Sequence, residues 1–171
     1  MNFETLGNIG DFFGGIAVLA TLIYLAIQIR GNTRAAQSEN RAGVAREYME
    51  VMEPESDPKI ARIFGEGLRN YPDIAHDDLV RYSAYMNRQS LFFQGVYARY
   101  EKGQLEDETY KAYLDWYSCL IATPGGALWF DDIARPIYVP SMVAEVDSRV
   151  KRGGLVDATA LPAYQVVKND T

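Results

Sequence analysis

The sequence predicts an all-α protein: an N-terminal transmembrane helix that continues into a stalk, then a small cytoplasmic helical bundle. Three observations lead there. The 18 residues from Phe12 to Ile29 carry no charge. Further along, apolar residues recur every three or four positions between prolines and glycines, which is helical spacing. Nothing alternates with period two over a useful length, so no sheet is expected.

The uncharged run reads FFGGIAVLATLIYLAIQI. As a helix it spans about 27 Å at about 1.5 Å per residue, close to the hydrocarbon thickness of about 30 Å. No basic residue precedes it and no small-x-small cleavage site follows it, so a removable signal peptide is not expected. The competing reading is the central buried helix of a soluble bundle, because this length is short for a membrane span. Arg30, Arg34, Arg41 and Arg46 follow the run, whereas only Glu4 and Asp11 precede it. Arginine-rich flanks stay on the cytoplasmic side. The N-terminus is therefore expected outside and the remainder from about Arg30 in the cytoplasm.

One face of this helix is made mostly of small side chains: Gly7, Gly10, Gly14, Ala17, Thr21, Tyr24 and Gln28 recur every three or four residues. Lipid offers no hydrophobic reason for helices to associate, so close approach through small residues drives their packing. Gly10 and Gly14 form the G-x-x-x-G pair of such contacts. The stripe predicts a contact surface for a copy of the same helix or for another membrane protein. Asp11 is expected at the interface, near the positive helix end.

After Arg30 the chain is expected to stay helical as a mostly polar stalk, since Arg34 to Met52 holds good helix formers. Glu53-Pro54-Glu55-Ser56 breaks it. Asp57 and Pro58 read as an N-cap with proline at the first helical position. Ile60, Ile63, Phe64 and Leu68 follow at helical spacing, and Tyr71-Pro72 ends that helix. The next runs from about His76 to Lys102, with Gly103 as its left-handed cap. Its inner face is expected to hold Leu79, Tyr82, Met86, Phe93, Val96, Tyr97 and Tyr100. A helix over about Glu106 to Ala122 turns Tyr110, Tyr113, Leu114, Tyr117, Leu120 and Ile121 inward. Thr123-Pro124 caps a short helix through Trp129 and Phe130 that stops before Pro136. A last one covers about Pro140 to Lys151 with Met142, Val143, Val146 and Val150. The expected divisions are an anchor over 1–30, a stalk over 31–53, a bundle over 54–152 and a tail over 153–171, extended along the bundle or loose.

Composition narrows function. A net charge of −6 argues against a nucleic-acid surface, which needs a basic patch. The lone Cys119 can form neither an internal disulfide nor a zinc site and reads as a small apolar residue on a helix face. The 12 tyrosines suggest an aromatic core with polar tips at its edge. His76 beside Asp73, Asp77 and Asp78 marks a helix start better than a metal site, and no second histidine exists. Glu106, Asp107 and Glu108 read the same way. Asp131-Asp132 read as a solvated helix end. Ser90 and Ser118 lack an activating base. Gly14-Gly15 and Gly125-Gly126 lack the lysine of a phosphate loop. No catalytic residue, metal or cofactor is expected, and the chain is not expected to be an enzyme.

The stretch GNIGDFFGGIAVLATLIYLAIQIRGNTRAAQ resembles the opening of a widespread family of uncharacterised bacterial single-pass membrane-anchored helical proteins. Their pattern is I-G-x-x-x-G, an apolar run, then Y-L-x-x-Q-I-R-x-N-T, met here by Ile9, Gly10, Gly14, Tyr24, Leu25, Gln28, Ile29, Arg30, Asn32 and Thr33. DPKIARIF, YEKGQLEDETYKAYLDW and ATPGGALWF resemble the same group. The resemblance implies architecture alone and carries over no functional residue. The leading functional expectation is a membrane-anchored interaction or accessory subunit in the lipid bilayer. One alternative is a homo-oligomeric pore using Asn8, Asp11, Thr21 and Gln28. Another is a sensor with a tyrosine-lined pocket near Tyr97 or Tyr113, although core packing is the simpler role for those rings.

Overall fold

A computed structural model describes the backbone of residues 3–161 and the side chains of residues 13–161. Gly7, Asn8, Gly10 and Asp11 belong to the first helix but lie outside the described side chains. Every regular element among the described residues is helical, so the chain is all-α.

Helix α1 runs from Phe3 to Met52. Two compact units divide within it, Met1–Asn40 and Arg41–Thr171. In the first unit no side chain from Phe13 to Arg30 is buried. The large apolar side chains from Phe13 to Ile29 keep between 45% and 65% of their surface exposed. A central helix of a soluble bundle would bury one face; this one buries none.

The second unit begins earlier than the sequence suggests. Residues 41–52, expected within the stalk, belong to the folded domain. Val44 is fully buried. One turn on, the Tyr48 ring sits 5.6 Å from Phe92, 5.7 Å from Tyr113 and 6.3 Å from Trp116. Arg99 donates both terminal nitrogens to the Glu47 carboxylate at 2.8 and 2.5 Å. Two well-placed residues a turn apart suffice to dock a helix end, even where the average apolar content is low.

Helix α2, Pro58–Asn70, starts where Asp57 accepts a hydrogen bond from the Lys59 amide at 2.8 Å. It buries Ile63, Phe64 and Leu68. Helix α3, His76–Glu101, buries Tyr82, Met86, Phe93 and Val96, while Tyr97 and Tyr100 are partly buried. Its end is closed by Gly103 at φ +68°, the left-handed conformation that glycine adopts without Cβ strain. Helix α4, Asp107–Ile121, buries Tyr110, Leu114, Tyr117, Leu120 and Ile121. Stacked pairs knit α3 to α4: Phe93 on Tyr117 at 4.8 Å and Tyr100 on Tyr110 at 3.9 Å.

Helix α5, Pro124–Trp129, opens with the Thr123 hydroxyl accepting from the Gly126 amide at 3.0 Å. Pro136 does not stop the helical path, contrary to the sequence expectation. A wide π turn over Phe130–Ala134 leads directly into the short α6, Arg135–Ile137. Proline cannot donate to the carbonyl four residues back and its ring crowds that carbonyl. A π turn just before it gives the backbone the extra room it needs.

Helix α7, Pro140–Arg152, buries Met142, Val143 and Val146. Beyond it the tail lies along the domain as far as residue 161. Ala158 is fully buried and Arg69 donates to the Thr159 carbonyl at 3.0 Å.

Candidate functional site

The sequence singles out the apolar part of α1, and its local chemistry is plain. Gly14, Ala17, Thr21, Tyr24 and Gln28 are all exposed. A Cβ built on Gly14 or Gly15 would meet nothing within 4 Å. Among the described residues, then, these glycines pack against nothing. Thr21 donates its hydroxyl to the Ala17 carbonyl at 2.8 Å, so its proton is satisfied within the helix. Thr33 does the same to Ile29 at 3.0 Å. That arrangement removes the cost of an unpaired hydroxyl in an apolar medium.

Magnitude decides what medium suits this helix. Ten large apolar side chains lie about half exposed from Phe13 to Ile29. Full burial of each stabilises by about 1.5–3 kcal/mol, so leaving them in water forgoes roughly 10 kcal/mol in all. That equals the whole net stability of a small domain, about 5–15 kcal/mol. The helix is long and apolar enough to cross a membrane.

Within the domain Ser90, Asp78 and Asp131 have structural partners, whereas the Ser118 hydroxyl is buried with none among the described residues. Ser90 donates to the Met86 carbonyl at 2.8 Å and lies 2.6 Å from the Tyr117 hydroxyl, both buried. Ser118 is buried with no histidine or carboxylate bonded to it. His76 stands exposed at the start of α3, and the neighbouring Asp78 is taken by Arg62 and Arg81 at 3.4 and 3.5 Å. Asp131 and Asp132 are exposed, and Asp131 pairs with Arg135 at 2.8 Å. Cys119 is buried in α4, and burial pushes its thiol up from the ordinary value.

Gly125 and Gly126 have a packing role that the sequence does not reveal. A Cβ on Gly125 would lie 1.9 Å from the Gly67 carbonyl oxygen, and one on Gly126 would lie 2.0 Å from the Leu120 carbonyl oxygen. On Gly67 a Cβ would strike the Tyr82 ring at 2.2 Å. Gly125 thus lets α5 approach the α2 backbone, while Gly67 leaves room for the Tyr82 ring of α3. The only trace of this in the sequence is that glycine interrupts two otherwise good helical segments.

The tyrosines mostly fill the core. A cleft of about 360 Å³ borders Tyr113, yet Arg41, Glu106, Glu108 and Thr109 also line it. A cleft of about 420 Å³ between α4 and α7 borders Tyr100 and Tyr110 with Lys111, Asp115, Glu145 and Arg149. Charged residues make up most of the second wall and three of the seven residues of the first, unlike the mostly apolar pocket that a tyrosine-lined sensor calls for. The chain matches no protein-family model, no curated protein and no solved structure.

Proposed function

We propose that this protein is a single-pass membrane anchor carrying a helical domain on the cytoplasmic side of a bacterial inner membrane, where it acts as an interaction or accessory subunit. The reading rests on the apolar stretch of α1, exposed on every face, in which Gly14 and Gly15 face no neighbour among the described residues. Lipid surrounds the greasy faces. The face of Gly7, Gly10, Gly14, Ala17, Thr21, Tyr24 and Gln28 meets a second copy of this helix or the helix of a partner.

Single cysteines test this in native membranes, with Cys119 replaced by serine. Cysteine at Ala17 or Thr21 is expected to form a disulfide with a cysteine at the matching place of a second copy, or a cross-link to a specific membrane partner. Cysteine at Ile23, about 200° around the helix from Thr21, is expected to form neither. Equal cross-linking at all three positions, or none at any, defeats the proposal.

A further inference from the structure

The arginines of this chain fall into two groups. From Arg62 to Arg149 each is engaged. Arg62, Arg81, Arg99, Arg135 and Arg149 pair with carboxylates. Arg69 and Arg88 donate to backbone carbonyls. Among the described residues Arg30, Arg34, Arg41, Arg46 and Arg152 have neither an ion pair nor a hydrogen bond, and of these Arg30 and Arg34 adjoin the apolar run. Both are exposed. No acidic residue occurs between Asp11 and Glu39, so nothing nearby in sequence neutralises them.

Their placement is equally specific. Arg30 directly follows the uncharged run, and Arg34 is one turn further on the same face, about 6 Å along the axis at about 1.5 Å per residue. The polar headgroup layer on each side of a bilayer is about 5–8 Å deep. Both guanidiniums therefore fall within that layer when the apolar run fills the hydrocarbon. Arg41 lies seven residues beyond Arg34, about 10 Å more of helix, past the headgroups. Arg46 lies farther still. Guanidinium matches phosphate as a planar, two-pronged donor, and it stays charged at every relevant pH.

We infer that Arg30 and Arg34 form a binding site for anionic phospholipid headgroups at the cytoplasmic end of the apolar helix. The inference rests on the membrane reading above and adds a lipid class to it. Two adjacent arginines facing one way, unpaired, hold phosphate oxygens of one or two neighbouring lipids. A negatively charged headgroup adds net attraction that a zwitterionic one lacks. Attraction of this kind reaches about five-fold in affinity per arginine near the surface, and salt weakens it.

The full chain is reconstituted in vesicles of phosphatidylcholine mixed with phosphatidylglycerol, and flotation first establishes whether it is inserted. Spin-labelled phosphatidylglycerol and phosphatidylcholine then report their relative association with the protein. The wild type is expected to favour phosphatidylglycerol several-fold, less so at high salt. The Arg30→Gln/Arg34→Gln pair is expected to reduce the ratio toward one. Arg30→Lys/Arg34→Lys is expected to retain part of it, and Arg46→Gln all of it. An inserted wild type with equal association for the two lipids, or a ratio unchanged in the glutamine pair, overturns the inference while leaving the anchor intact. A chain that does not float with the vesicles overturns both.

Discussion

A methyl group on Gly125 has no room, because its position is 1.9 Å from a backbone oxygen that cannot move independently of α2. Gly125→Ala is therefore expected to destabilise the domain by about 3 kcal/mol or more, the upper end of overpacking costs. Gly95 is the control. It lies inside α3 with nothing within 4 Å of its would-be Cβ. Gly95→Ala is expected to stabilise by about 0.5–1 kcal/mol, since alanine loses less backbone entropy in a helix. Urea denaturation of the full chain in detergent, followed by circular dichroism, measures both. The tyrosines give a second residue-scale test. Burial pushes the Tyr48 hydroxyl up to about 12, and it also raises Tyr82, Tyr85, Tyr110 and Tyr117. The folded state holds these groups neutral, whereas the unfolded chain ionises near pH 10. Their contribution is fully present below about pH 10 and is lost as pH rises toward 12. Thermal melts should be insensitive to these groups between pH 8 and 10 and fall steeply above that. Melts unchanged to pH 12 would contradict the burial.

At the scale of elements, the docking of α1 on the domain is the least obvious contact. Tyr48 sits among Phe92, Tyr113 and Trp116, while the Arg99–Glu47 pair lies at the edge, partly in water. The ring carries most of the energy. Tyr48→Ala is expected to cost about 2 kcal/mol or more and Glu47→Ala less than about 1 kcal/mol, because exposed ion pairs contribute little. Hydrogen exchange should show amides 44–52 losing protection in Tyr48→Ala and keeping most of it in Glu47→Ala. Equal effects would mean that the ion pair holds the helix end. Legibility in the sequence follows the same physics. Helix ends marked by local chemistry were readable: Asp57-Pro58, Thr123-Pro124 and Gly103 each cap where their residue types require. Features made by distant partners were not. Val44 and Tyr48 look like polar-stalk residues until α3 and α4 are beside them. Gly67 and Gly125 are far apart in sequence, and nothing local pairs them. The π turn before Pro136 depends on helical structure continuing through a proline, which local rules disfavour.

For the whole molecule, the candidate contact surface was legible as a face of α1 because helical periodicity alone places Gly14, Ala17, Thr21, Tyr24 and Gln28 together. What would meet that face is not written in the chain, since a partner would contribute residues of its own. The all-α domain and the exposed apolar helix have a common consequence. The domain buries its own large side chains, with Trp129, Tyr82, Tyr117 and Phe93 almost wholly buried, while the apolar side chains of residues 13–29 stay exposed among the described residues. A bilayer is the medium we propose to remove this imbalance. Extraction of native membranes with alkaline carbonate tests that claim most directly. The account predicts that the full-length protein stays in the membrane pellet and is released only by detergent. Recovery of a monodisperse monomer in the aqueous supernatant would contradict it.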